Sequence, residues 1–123
     1  MRPSDPEKSK QCIFCKIIMG TLPSSKVFEG NAVVAFKDIN PQAPVHFLIA
    51  SKKHISDLLD VRSSDAQVFQ EMFLAVQHLA AQAGIAGSGF RTVFNSGDHA
   101  CQSIHHLHLH LLGGIQMSGT MTG

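Results

Sequence analysis

The spacing of apolar positions along this chain changes several times, and each change marks an element. Between residues 12 and 19 the apolar residues Ile13, Phe14, Ile17 and Ile18 recur at helical spacing, and Gly20 closes the run, which predicts a short helix. Leu22-Pro23-Ser24-Ser25 reads as a connector. Residues 26–29 and 32–36 read as strands joined by a Gly30-Asn31 turn. Two prolines make residues 38–44 a loop, and a third strand is expected over residues 45–50. Residues 63–83 form the main helix, with Phe69, Met72, Phe73, Val76, Leu79, Ala80 and Ala83 on one apolar face. Ser64 and Gln67 fit a capping box at its start, Asp65 suits the first turn, and Gly84 ends it. Residues 90–95 read as a strand, 96–103 as a polar loop, and 104–112 as a last strand stopped by Gly113-Gly114. Five short strands, one long helix and one short helix predict an α+β meander, with the strands antiparallel.

Composition narrows the class. With 44% hydrophobic and 15% charged residues over 123 positions, the chain can build a packed core, and the length suits a single domain. A domain of this size buries roughly two-thirds of its unfolded surface and needs no disulfide staples. The net charge of +1 offers no field for duplex nucleic acid, so any phosphate recognition must be local. Three Cys, an odd number, argue against a disulfide scaffold. Residues 1–11 are polar with mixed charge and read as a mobile tail rather than a signal peptide, leaving residues 12–123 as the domain. No apolar run reaches the ~20 residues of a membrane span. A cytoplasmic protein is the expectation.

Candidate chemistry concentrates in Ile104-His105-His106-Leu107-His108-Leu109-His110-Leu111-Leu112. Successive side chains of a strand point to opposite faces, so His106, His108 and His110 share one face and Leu107, Leu109 and Leu111 the other. The leucine face suits a core. The histidine face should be open to water or a ligand, because three imidazoles in a dry core would lack partners. Such a face could be merely solvated, could bind a metal, or could supply a nucleophile whose neighbours set its tautomer and charge. The preceding loop, residues 95–103, combines small residues with an amide, a hydroxyl and free backbone N–H groups. It can cradle an anion without a strong net charge.

Gln102-Ser103-Ile104-His105-His106-Leu107-His108-Leu109-His110-Leu111-Leu112 resembles the signature of the histidine triad (HIT) family, His-φ-His-φ-His-φ-φ preceded by Gln-Ser-φ. Cys12-Ile13-Phe14-Cys15-Lys16-Ile17-Ile18, the run from Asp38 to Phe47, Lys52-Lys53-His54-Ile55 and Phe94-Asn95-Ser96-Gly97 fall in family order. The resemblance covers residues 12 to about 116 and is strongest to the Hint branch, the histidine triad nucleotide-binding proteins. It implies a HIT-like fold and attack on a nucleotide α-phosphate. His108 would form a nucleotidyl-histidine intermediate, and water would release a nucleoside monophosphate from a phosphoramidate or dinucleoside polyphosphate. His110 would hydrogen-bond a phosphoryl oxygen, His46 would pair with His108, and Ser103 would help protonate the leaving group. Asn95 and Gln102 would contact phosphate, and Asp38 would accept the ribose hydroxyls. Ile13, Phe14, Ile17, Phe36, Ile39 and Leu48 would wall the base, a purine by preference. The resemblance also implies a homodimer paired through the long helix and the strand before the site. Phe69, Met72, Phe73 and Val76 are more apolar than one small sheet requires.

Cys12-x-x-Cys15 by itself fits a redox pair, a metal half-site or two buried thiols. A redox pair usually follows a strand, whereas this one follows a polar tail. The resemblance supplies His54 and His106 as partners in a structural zinc site, a Cys₂His₂ set, with no organic cofactor. His78 reads as a surface residue, and His99 and His105 carry no assigned chemistry. Cys101 stands where family members usually have Gly, and residues 115–123 lack the Trp and Pro common in this branch. The rival expectation is an adaptor that binds a purine nucleotide or a metal without turnover.

Overall fold

A computed structural model describes residues 12–119, so the tail expected over residues 1–11 lies outside the described residues. The first helix, α1 (Ile13–Ile18), is capped by Cys12, whose Sγ accepts from the Cys15 N–H at 3.5 Å. Its inner side carries Phe14, Cys15 and Ile17. Five strands follow: β1 (Lys26–Glu29), β2 (Val33–Lys37), β3 (Val45–Ser51), β4 (Phe90–Phe94) and β5 (His108–Gly113). The long helix α2 (Ala66–Gln82) lies between β3 and β4 in the chain.

All neighbouring strands are antiparallel, as expected, but the order β1-β2-β3-β5-β4 is not that of a meander. β5 is inserted between β3 and β4. The physical reason is burial: β5 is apolar or imidazole-bearing on both faces and takes an inner position, while half-exposed β4 takes the edge.

The pleat sorts each strand between two cores. Val33 and Ala35 of β2, Ile49 of β3 and Leu109 and Leu111 of β5 pack under Met72, Ala75, Val76, Leu79 and Ala80 of α2. The alternate residues Val34, Phe36, Leu48 and Ala50 face α1, against Phe14 and Ile17. His108 pairs with Ala50 and His110 with Leu48, which puts both imidazoles on the α1 side. Leucines into one layer and histidines toward the other is what their alternation implies.

Three local expectations change. β5 begins at His108 rather than at residue 104, because the His106 N–H bonds to the Ile104 carbonyl at 2.9 Å and the Leu107 N–H to the Ile55 carbonyl at 2.6 Å. The Ser64–Gln67 capping box is not the helix start. Ser63–Asp65 form a 3₁₀ turn closed by the buried Asp65 carboxylate, which accepts from Arg62 N and Lys53 Nζ, each at 2.9 Å. Two donors to a carboxylate, one of them an ammonium, outweigh a hydroxyl–amide exchange. Gln67 instead donates to Glu71 at 3.0 Å. Phe73 does not join the inner face of α2: it is 54% exposed beside Leu74 at 53%, whereas Met72 and Val76 are core. Among the described residues no helix is long and apolar enough to cross a membrane.

Candidate active site

A cleft of about 910 Å³ opens between α1, the connector after it, the ends of β2 and β3, and the loop before β5. Ile13, Phe14, Ile17, Phe36, Ile39 and Leu48 all line it. Ile17 and Leu48 serve both core and wall, being 8% and 7% exposed, while Ile39 stands at the rim, 92% exposed. Leu22, Pro23 and Ile104 also line it and were not anticipated, since a connector carries no periodic signal. Asp38, His46, Ser103, His108 and His110 reach the same cleft. The sheet delivers the histidines: His46 opens β3, and His108 and His110 come from the adjacent β5.

Hydrogen bonds define which ring atoms carry protons. His108 Nδ1 lies 2.6 Å from the His106 carbonyl, which can only accept, so Nδ1 holds the proton and Nε2 keeps a free lone pair. His46 Nδ1 accepts from the Gln42 N–H at 3.0 Å, so the neutral ring carries its proton on Nε2. That atom lies 2.9 Å from His110 Nδ1 and 3.3 Å from an Asp38 carboxylate oxygen. His110 therefore accepts at Nδ1 and keeps an Nε2–H to donate. The expected pairing of His46 with His108 is replaced by pairing with His110, and the His106 carbonyl holds His108. Strand geometry explains the exchange: the His108 ring sits close enough above the preceding turn to meet the carbonyl two residues back.

All three cleft imidazoles are neutral near pH 7. Burial lowers the His46 value, with the Asp38 carboxylate opposing. Burial also lowers His108, and the His106 carbonyl opposes it. His110 is pushed down to about 4, first by burial and then by the neighbouring His108 and His46. Phe14 packs edge-on against His108, with ring centroids 4.9 Å apart.

Asp38 also accepts from the Asn40 N–H at 2.9 Å. A carboxylate offers about four lone-pair sites, so the Asn40 bond and the nearby His46 ring leave capacity for a ligand. Gln102 does not present its amide to the cleft as expected. Its Nε2 donates to the Ser56 and Ile104 carbonyls at 2.7 and 3.2 Å, and its Oε1 accepts from the Gly97 N–H at 2.9 Å. Three backbone groups, those of Gly97 and Ile104 around the loop and the distant Ser56 carbonyl, engage the amide in place of a ligand. Asn95 is half-buried and lies outside the cleft lining. Cys101 is exposed and adopts φ +62°, the left-handed region that glycine enters freely.

Beside the cleft lies a second cluster. Cys12, Cys15, His54 and His106 bring their ligand atoms within 4.8 Å of one another and could hold a metal ion. Cys12 Sγ is 3.3 Å from His106 Nδ1, and Cys15 Sγ is 3.2 Å from His54 Nδ1 and 3.5 Å from His106 Nδ1. A tetrahedral ion with bonds of about 2.3 Å to sulfur and about 2.0 Å to nitrogen keeps such atoms about 3.5 Å apart. His106 Nε2 donates to the Ser51 carbonyl at 2.6 Å, which leaves Nδ1 as a lone pair aimed at the sulfurs. The donor set fits a metal. Burial, with Cys15 close by, pushes the Cys12 thiol up to about 11, so a cation supplies the charge that a thiolate here lacks. His106 is fully buried, so of the three alternating histidines only His108 and His110 face the cleft, contrary to the open face expected. The thiols and imidazole nitrogens of this cluster are the missing partners.

Asp38, His46 and His110 also converge within 4.8 Å. This set does not fit a metal. Ligation through His46 Nε2 would move the ring proton to Nδ1, against the Gln42 N–H that now donates to it. The arrangement is a hydrogen-bonded relay.

Fold and site together describe an α+β domain whose central strands present a buried, neutral imidazole beside a polarised one in an apolar cleft. The chain belongs to the histidine triad (HIT) family. The family model described as "Scavenger mRNA decapping enzyme C-term binding" matches residues 11–122. The chain is 40% identical over 106 residues to the purine nucleoside phosphoramidase of Escherichia coli strain K12, covering 86% of this chain and 89% of that protein. It is similar in structure to a HIT family hydrolase from Clostridium thermocellum, with a TM-score of 0.88 and 44% identity over 91% of this chain and 97% of that one. A HIT family hydrolase from Legionella pneumophila gives a TM-score of 0.85 at 44% identity, covering 88% and 96%.

Proposed function

We propose that this protein hydrolyses nucleotides at the α-phosphate, acting on nucleoside phosphoramidates or dinucleoside polyphosphates and releasing a nucleoside monophosphate. The observation that carries the reading is the His108 Nδ1–His106 carbonyl bond at 2.6 Å, which leaves Nε2 free as a nucleophile in the cleft. The similarity to a purine nucleoside phosphoramidase supports the substrate class.

His108 attacks as a neutral base. Its Nε2 forms a bond to phosphorus while the bond from phosphorus to the leaving nitrogen or oxygen breaks, and the leaving group takes up a proton that Ser103 helps deliver. His110, polarised by the Gln42–His46 chain, donates Nε2–H to a phosphoryl oxygen as negative charge gathers there. Water then bonds to phosphorus and gives up a proton to solvent, the bond to His108 breaks, and the electron pair returns to Nε2 of the neutral ring. Asp38 accepts the ribose hydroxyls, and the apolar wall stacks on the base with a purine preference. Zinc is the metal this reading assigns to Cys12, Cys15, His54 and His106. When bound it ties α1 to the His106 turn and takes no part in the reaction. Thiol ligands of this kind suit a reducing, cytoplasmic compartment.

The same reading includes a homodimer. Strand β4 has a free edge, and the half-exposed Phe90, Phe73 and Leu74 are apolar surface that a second copy can cover. A dimer mass by light scattering at micromolar concentration is expected; a monomer mass overturns that part alone.

The deciding experiment is to quench a reaction with an adenosine 5′-phosphoramidate and look for adenylate on His108 by mass spectrometry. His108→Ala abolishes turnover while still binding AMP. Near-normal turnover by this variant overturns the mechanism, and AMP binding by the native protein with no turnover favours the adaptor reading.

A further inference from the structure

The side chain of Gln102 has been left without a role in the reaction, and its surroundings suggest one. It is 6% exposed, and every polar atom of its amide is engaged with backbone. The bonds form a ring. The Gly97 N–H donates to Gln102 Oε1 at 2.9 Å, and the Gln102 N–H donates back to the Gly97 carbonyl at 3.1 Å. The six residues from Gly97 to Gln102 include two at positive φ: Gly97 at +85°, which glycine enters freely, and Cys101 at +62°, which costs a residue that carries a side chain. A loop of that shape needs an external tie to persist. The amide nitrogen supplies one by donating to the Ser56 carbonyl at 2.7 Å, a residue 46 positions away and 1% exposed.

Ser103 sits directly after this anchor. The peptide before it belongs to Gln102, whose N–H is bonded to Gly97, and the carbonyl of the residue after it, Ile104, accepts from Gln102 Nε2 at 3.2 Å. Both flanks of Ser103 are thus held by Gln102, one through its backbone N–H and the other through its side chain. Ser103 itself is exposed and lines the same cleft as His108 and His110.

We propose that Gln102 is a positioning residue for leaving-group protonation: it holds the 97–103 loop so that the Ser103 hydroxyl stays against the departing atom. The proposal rests on the proposed hydrolysis and on the role given there to Ser103. It differs from a phosphate contact, because the Gln102 amide has no free group to offer a ligand. It also differs from general support of the fold, because its effect depends on the leaving group. An amine leaves only after taking up a proton, whereas a p-nitrophenolate departs as the anion. The loss of Gln102 should therefore slow the first and spare the second.

The test compares an adenosine 5′-phosphoramidate of a simple alkylamine with adenosine 5′-(p-nitrophenyl phosphate). The variants are Gln102→Glu, Gln102→Met, Ser103→Ala and the double variant Gln102→Met/Ser103→Ala. Gln102→Glu keeps the shape but turns a carboxylate toward two carbonyls; Gln102→Met keeps the length without polarity and serves if the first fails to fold. Losing a general acid costs about 100-fold or more, and misplacing one should cost at least about tenfold. Expected is a kcat at least about tenfold lower on the amine substrate and within about threefold of native on the ester, with AMP affinity unchanged. On the amine substrate the double variant should be no slower than Ser103→Ala. Equal losses on both substrates, or losses that multiply in the double variant, overturn the proposal. If Ser103→Ala shows no selective loss on the amine, the role of Ser103 falls and this inference with it. If the native protein turns over neither compound, the proposed hydrolysis itself fails.

Discussion

Phe14 joins the stability of this protein to its chemistry, and truncating it tests both. The residue is 3% exposed and lies between Cys12 and Cys15 on a helix of only six residues. Its ring meets three others edge-on: Phe36 at 5.2 Å, His106 at 5.8 Å and His108 at 4.9 Å between centroids. Phe14→Ala removes that ring from a closed site, and buried Phe→Ala changes cost about 3–5 kcal/mol through lost transfer energy and the cavity left behind. The edge-on contacts add about 0.5–1.5 kcal/mol each in favourable geometry, which places this site in the upper half of that range. Such a loss is a large share of the roughly 5–15 kcal/mol that holds a domain together. At about 4 °C per kcal/mol for a domain of this size, the melting temperature should fall by about 16–20 °C. Phe14→Leu is the control. It keeps most of the apolar volume and should cost nearer 1.5 kcal/mol. Urea unfolding of the three proteins measures the differences. At 15 °C, where the Ala variant is still folded, KM for an adenosine substrate should rise about tenfold, since the base loses its aromatic wall. A destabilisation below about 1 kcal/mol, or a cost from Leu as large as from Ala, would show that the α1 side of the sheet is not packed as described.

Four further outcomes are expected. In the metal-free protein His106 and His110 are pushed to about 4, against about 6.5 for an exposed imidazole, so they take up protons more readily unfolded; their contribution to the stability of that form is complete above pH 6.5 and is lost as pH falls toward 4. The Asp65 and Glu71 carboxylates, held low by Lys53 and by the Ala32 N–H respectively, lose stability only at lower pH, so a decline in melting temperature between pH 6.5 and 5 reports the imidazoles and a flat profile there contradicts the assignment. Removing metal with a chelator should lower the melting temperature by at least about 5 °C, because binding free energy adds to folding free energy, and metal analysis should return one zinc per chain; a metal-free protein with unchanged melting would refute the site. Cys101→Gly should leave stability within about 1 kcal/mol of native, relief at φ +62° being offset by glycine's freedom when unfolded, whereas Cys101→Val should cost about 1–2 kcal/mol; equal urea midpoints would refute the strain. If the proposed roles hold, kinetics on matched substrates should separate adenosine from guanosine by well under about a hundredfold, because apolar walls discriminate weakly, while removing the ribose hydroxyls should cost more, because the proposal makes Asp38 their acceptor.

Periodicity alone carries the parts of this protein that depend on which face a residue shows. The leucines of β5 and the inner face of α2 follow from spacing, because a strand repeats every two residues and a helix every 3.6. Alternation also put His108 and His110 together, and the order of the motifs was enough to indicate the family. Tertiary structure decided what depends on distant partners. Nothing local says that β5 lies between β3 and β4, since strand order follows from which strand can bury both faces. Spacing does not distinguish a redox pair at Cys12 and Cys15 from a metal half-site; the resemblance named His54 and His106 as partners, and only the fold brings them, 39 and 94 positions away, within reach of the sulfurs as a set that could hold a metal ion. Phe73 lies one residue from buried Met72, and only docking shows that it faces outward. The ring protons of His46, His106 and His108 depend on the Gln42 N–H and on the carbonyls of Ser51 and His106. The family resemblance implied a phosphate contact for Gln102, yet three backbone groups engage its amide. Hydrophobic pattern is a property of neighbours in the chain, whereas a tautomer or a hydrogen-bond partner is a property of neighbours in space.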